Sequence, residues 1–338
     1  MNIDSVTDNI LNSSTGSGRV FLKSMNLDLP IHEKEFCHYT DLNGLKGIIE
    51  NNEVWLSDHR FLNDTSEHSY GRELAIRVID NAIQKESESE FLQILIKTLE
   101  MIRNMEESSV FYIASMSLGE DKLDLWKGYG SKSTIGICLV FNENFFTNSY
   151  SWSISLLRVI YVKEQQEERI EKILSIFKEE VYKKCEISSE ESSWESDLTT
   201  VVTKQFIQFK HSEYSSENEI RFVFEDIQRH LFNKTDSKIQ IEHRISNGLI
   251  IPYLTSKSIV NYHSQNTTLS CDTQQVISCE NYQAQNKPSE KKLPLEKVIV
   301  GTNSDSNRAI KSVKAFLKNT SQYADVEVCK SDIPFDFK

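Results

Sequence analysis

"SSENEIRFVFED", Ser215–Asp226, decides how the chain is read. Aromatic and β-branched residues alternating with charged ones make it a strand, and side chains on a strand alternate between its faces. Glu217, Glu219, Arg221 and Val223 therefore share one predicted face, with Asn218, Ile220, Phe222 and Phe224 on the other. The second face is core. The first sets two carboxylates and a guanidinium in a row, roughly 7 Å between alternate Cα atoms. Buried charge in a strand centre needs partners, so such a row either forms cross-strand ion pairs on an exposed face or lines a site.

Outward from this strand the pattern alternates between strands and helices. "EFCHY" and "EVWLSD" read as strands around a helix bearing Leu42, Leu45, Ile48 and Ile49 on one face, capped by Thr40 or Asp41. "HRFLNDTSE" reads as a loop, and two helices follow between Tyr70 and Asn104, divided by "QKESESE". "SVFYIASMS" and "IGICLVF" are strands bracketing a helical "DKLDLWKGYG", and "SISLLRVIYV" is another strand. Helices are predicted over 165–185 and in "LTTVVTKQFIQFK". A hairpin is predicted about Ser246-Asn247-Gly248, and a closing βαβ unit from "LEKVIVG" to "ADVEVCK". The fold class is α+β: one elaborated domain over 31–338, with a central mixed or antiparallel sheet and flanking helices. It follows a polar arm over 1–30 and carries a polar insertion at 255–292.

The 338 residues carry a formal charge of −12, from 38 basic and 50 acidic side chains. This disfavours non-specific wrapping of nucleic acid, which needs a surplus of cations, but leaves room for a local basic rim at Lys204, Lys210, His211 and Arg221. The first twenty residues lack a basic stretch followed by an apolar one, and no run of about 18 apolar residues occurs, so a cytoplasmic protein without membrane contact is expected. The six cysteines (Cys37, Cys138, Cys185, Cys271, Cys279, Cys329) form no C-x-x-C pair and read as free thiols, with no metal expected. Neither a Gly-rich phosphate loop nor G-x-S-x-G occurs.

His38 and Tyr39 are adjacent strand residues on opposite faces, as are Cys37 and His38, which argues against a Cys-His dyad. Trp126 and Tyr129, three apart on a short helix, are core packing or an aromatic wall for a flat ring.

"FCHYT…LKGIIENNEVWLSDHRFLNDTSE", "SMS…DKLDLWKGYG…GICLVFN", "SENEIRFVF" and "VIVGTN" together resemble a widespread bacterial family known mainly as a domain of unknown function. Its opening is similar to the "H-x-T…L..I…G" start of ADP-ribosyltransferase toxins that modify nucleic acid. The similarity covers residues 36–145 and 205–225 and a short segment near 300. Ser115-Met116-Ser117 matches the serine motif of one transferase branch only loosely.

The resemblance implies an ADP-ribosyltransferase-like domain acting on NAD, as an intracellular toxin or anti-phage effector. Its acceptor would be a macromolecule, RNA or DNA ahead of protein, and an antitoxin or regulatory protein is the implied partner. In that reading Glu219 stabilises the ribosyl cation and Glu217 orients or deprotonates the acceptor. His38, with Tyr39 and Thr40, holds the adenosine-side ribose, and Trp126 and Tyr129 stack on nicotinamide. Asn63 and Asp64 bind ribose or acceptor, and Arg221 holds Glu219 or a phosphate. Two other classes stay open. One is a partner-binding module or sensor without chemistry. The other is a metal-dependent nuclease using Glu217 and Glu219 with Asp64 or Asp121, which lacks the usual nearby lysine because Arg221 stands there.

Overall fold

A computed structural model describes residues 35–62, 67–105, 110–129, 135–142, 145, 154–184, 194–225, 239–246, 248–259, 292–302 and 305–334. The polar arm, most of the 255–292 segment, and Asn63 and Asp64 lie outside these residues. The chain is mixed α/β, with a mixed sheet and helices, consistent with the α+β class. Its described residues group into two compact units interleaved along the sequence. One draws on Asn63–Ser108 and Arg158–Ser215; the other draws on His32–Leu62, Ser109–Leu157 and Ser216–Lys338.

The first unit is helical. α2 (Glu67–Lys85), α3 (Ser89–Asn104), α5 (Lys163–Lys184) and α6 (Trp194–Thr203) turn apolar stripes to a common core. Leu74, Val78, Leu95, Ile102, Ile173, Phe177 and Val202 belong to that core. Gly71 lets α2 approach closely: a Cβ there would stand 2.9 Å from the Phe206 Cα. Among the buried polar groups, Arg169 Nε donates to Gln205 Oε1 at 2.8 Å, and Gln166 Nε2 donates to the Lys210 carbonyl at 2.9 Å.

The second unit holds the sheet. Its elements are β1 (Glu35–Asp41), α1 (Leu42–Asn51), β2 (Trp55–Asp58), β3 (Phe111–Ser117), α4 (Leu123–Tyr129) and β4 (Gly136–Asn142). β5 (Ile154–Arg158), β6 (Glu219–Glu225), β7 (Glu242–Ser246), β8 (Leu249–Thr255), β9 (Leu295–Val300), α7 (Ser306–Asn319) and β10 (Glu327–Lys330) complete it. The strand order is β10-β9-β4-β1-β3-β2-β8-β7, with β6 joined to β3 and β5. β9 and β10, the strands of the closing βαβ unit, are parallel; the registered pairs between β1, β2, β3, β4, β6, β7, β8 and β9 are antiparallel.

β1 hands over to α1 through Asp41, whose carboxylate accepts from the Gly44 N–H at 2.8 Å, so Asp41 and not Thr40 is the cap. Thr40 Oγ1 instead occupies the space beside Gly44, where a Cβ would come within 1.9 Å. Asn52 ends the helix in the left-handed region at φ 52°. The predicted hairpin forms as β7 and β8, with Gly248 at φ +77° in its turn.

β3 is where the sheet forks. β6 pairs with its whole length, from Phe111↔Glu225 to Ser117↔Glu219, and so fills one edge. The other edge is shared. β1 meets it at Cys37↔Ser117 and β2 at Ser57↔Ile113, Asp58↔Tyr112. Between these contacts β1 turns away to β4 and β2 to β8, and among the described residues the β3 edge from Ala114 to Met116 has no registered strand partner. Residues paired across an antiparallel ladder share a face. Cys37, Tyr39, Ser57, Ile113, Ser115, Ser117, Glu219, Arg221, Arg244 and Tyr253 are thereby placed on one face by their registers.

Candidate functional site around the fork of the sheet

His38 closes the gap in the fork. Its Nδ1 lies 3.2 Å from the Ser115 carbonyl, which the strand pattern directs toward the edge that β1 and β2 leave. Nδ1 is therefore the donor, and Nε2 is left for another group. Burial pushes the imidazole below its usual range and the Arg244 cation adds to this, against the opposing effect of the Ser115 hydrogen bond.

Glu219 opens β6 and is 6% exposed, with Arg221 at 1%. The guanidinium clasps the carboxylate in a fork: Nε donates to Oε1 at 2.8 Å and Nη2 to Oε2 at 2.9 Å. Ser115 stands opposite Arg221 in the ladder, and Ser117 opposite Glu219. His38, the serine pair and Glu219 thus come from β1, β3 and β6, three strands adjacent in the sheet.

Glu217 departs from the predicted alternation. It ends the 3-10 helix Ser212–Glu217, outside β6, because Asn218 takes a left-handed conformation at φ 45° and resets the chain. That turn is fastened to the end of β3. Asn218 Nδ2 donates to the Leu118 carbonyl at 3.1 Å, the Leu118 N–H donates to the Asn218 carbonyl at 2.9 Å, and Ser117 Oγ donates to the Glu217 carbonyl at 2.6 Å. Lys122 Nζ reaches Ser117 Oγ at 3.3 Å. Glu217 is half-buried, whereas Glu219 is buried.

The aromatic residues separate from this group. Trp126 is 2% exposed and packs edge-on against Tyr39, centroids 5.0 Å apart, in a cluster with Cys138, Val140 and Ile299. Its Nε1 donates to Asp121 Oδ1 at 2.7 Å. Trp126 is therefore core, and the expected nicotinamide shelf does not form from it; spacing on a helix does not say which face is covered. Tyr129 ends α4, and its side chain is outside the described residues. Tyr39 is buried, its hydroxyl accepting from the Lys122 N–H at 3.0 Å, and burial drives its pKa well above the usual phenol range. Tyr39 and Thr40 thus serve the packing and the α1 junction. Asp121 accepts from Trp126 and from the Asp332 N–H at 2.7 Å, which ties it to structure. Among the described residues, no three His, Cys, Asp or Glu side chains gather as metal ligands.

Arg244, which the sequence reading passed over, belongs to this face. Its Nη2 donates to Ser57 Oγ at 3.0 Å, while its Nε is buried without a hydrogen-bond partner. An enclosed, unsatisfied N–H of a charged group costs on the order of 1–3 kcal/mol. Glu242, two residues earlier, is occupied elsewhere: Tyr253 Oη donates to its Oε2 at 2.8 Å. Burial, and then that contact, push the Tyr253 hydroxyl up to about 12. Tyr253 is held in turn against Trp55, centroids 4.5 Å apart. The signal in the sequence is a second Glu-x-Arg, Glu242-His243-Arg244, on a strand.

Among the described residues no helix is long and apolar enough to cross a membrane. Comparison with curated proteins and with solved structures gave no match. Residues 125–222, which include Trp126, Glu217, Glu219 and Arg221 but neither His38 nor Arg244, match the family described as "Protein of unknown function (DUF2971)".

Proposed function

We propose that the chain is an NAD-dependent ADP-ribosyltransferase whose acceptor is a macromolecule, nucleic acid ahead of protein. One observation carries the reading. A histidine on β1, a Ser-x-Ser on β3 and a buried glutamate on β6 come from three adjacent strands, with His38 bonded to the β3 edge that β1 and β2 leave. In the reaction the bond between the nicotinamide nitrogen and the ribose carbon breaks, and nicotinamide leaves neutral with the bonding pair. The acceptor bonds to that carbon and gives up a proton. Glu219, rigidly held by Arg221, supplies fixed negative charge for the ribosyl cation and an acceptor for a ribose hydroxyl. Glu217, half-buried on the adjoining turn, takes the acceptor's proton. His38 donates to or accepts from the ligand through Nε2.

A second reading, a binding module without chemistry, is favoured by the closed Glu219–Arg221 clasp and by the withdrawal of Trp126 into the core. An assay of nicotinamide release from NAD separates the two. The purified chain and Glu219→Gln are each supplied with cellular RNA, DNA or lysate protein. The transferase reading expects release by wild type, raised by one acceptor and lost by at least about a hundredfold in Glu219→Gln, the scale of one electrostatic group at a transition state. No release with any acceptor, and no thermal stabilisation by NAD, leaves the binding module.

A further inference from the structure

We propose that Arg244, with the Ser57 hydroxyl, binds the phosphate of a phosphorylated ligand. The guanidinium lacks the carboxylate that its position provides: Glu242 is two residues away on the same face, yet accepts from the Tyr253 hydroxyl. Among the described residues no acid pairs with Arg244, and its Nε finds no acceptor. The enclosed Nε is a donor that an anion reaching the half-buried guanidinium would satisfy. The neighbouring hydroxyl is suited to an anion. Ser57 Oγ accepts from Arg244 Nη2, which leaves its own proton to donate.

Arg244 is half-buried, which leaves part of the guanidinium reachable, and its Nη2 hydrogen bond holds it beside the buried Ser57 at the fork. A guanidinium fork fits either a carboxylate or a phosphate. The Ser57 hydroxyl adds a second donor beside the fork, and a phosphate offers oxygens enough to take both. The site stands independently of the transferase reading; where both hold, its phosphate is one of the NAD diphosphate.

The test is isothermal titration of the full chain at low ionic strength with sodium pyrophosphate and with ADP-ribose. Wild type, Arg244→Gln and Arg244→Lys are compared, with melting curves in chloride to establish folding. The expected result is binding by wild type, a loss of at least about tenfold in Arg244→Gln, and partial recovery by lysine, which keeps the charge without the fork. The titration reads binding and not turnover, so failure of the nicotinamide assay leaves this result standing. Tighter ADP-ribose than pyrophosphate binding identifies a nucleotide; equal binding identifies the phosphate alone. Absence of binding by wild type overturns the proposal, as does equal binding by a folded Arg244→Gln. If Arg244→Gln does not fold, Ser57→Ala carries the test, with a several-fold loss expected and an unchanged affinity overturning it.

Discussion

Glu219-Ile-Arg221 on β6 and Glu242-His-Arg244 on β7 place the same two side chains at the same spacing on strands of one sheet, with opposite outcomes. On β6 the pair closes on itself, bidentate and buried. On β7 a tyrosine from the neighbouring strand takes the carboxylate, and the guanidinium turns to a serine. Local sequence sets which charges share a face; the cross-strand neighbour decides whether they pair. β6 joins β3 and β5, whereas β7 ends the strand path.

The largest effect is expected from breaking the closed pair. Arg221→Ala strands a buried carboxylate and should cost about 3–5 kcal/mol in urea unfolding. Replacing both partners together, Glu219→Gln with Arg221→Met, should recover most of that loss, because no charge is then left alone. Tyr253→Phe sharpens the comparison by making the second pair resemble the first. Losing one hydroxyl costs about 1 kcal/mol, but Glu242 is freed for Arg244, and pyrophosphate affinity should fall several-fold as the carboxylate competes. Arg244→Gln, which removes a hydrogen bond and an unsatisfied group together, should change stability by less than about 1 kcal/mol.

The smallest effect is on pH dependence. The folded chain resists protonating His38, whereas the unfolded chain takes that proton near 6.5. This contribution to stability is therefore complete above that value and is lost as pH falls below it, down to the lowered folded pKa. His38→Asn should flatten that limb of the unfolding profile, and Arg244→Gln should move the His38 titration, followed by NMR, upward.

Most elements were legible because they are short-range statements. The alternation in β6, the stripes of α2, α3 and α5, the Gly248 turn and the closing βαβ unit all follow from residues within one element. Glu217 was misplaced because alternation ignores backbone conformation, and one left-handed residue, Asn218, removes it from the strand. Trp126 stayed open between core and ring stacking because the residues that cover it, Tyr39, Val140 and Ile299, come from three different strands. Arg244 was missed for a related reason: nothing within β7 distinguishes its pair from that of β6, and the hydroxyl that separates them arrives from β8. The division into two units was invisible because it depends on which distant strands join.

One such joining has a consequence for biosynthesis. β4 lies between β1 and β9, and Asn142 and Glu296, 154 residues apart, hydrogen-bond along that border. During translation β4 leaves the ribosome long before β9, so one side of it waits unpaired while the intervening chain is made. A nascent chain halted before Leu295 would present an open strand edge, the kind of surface that chaperones cover and that neighbouring nascent chains adhere to.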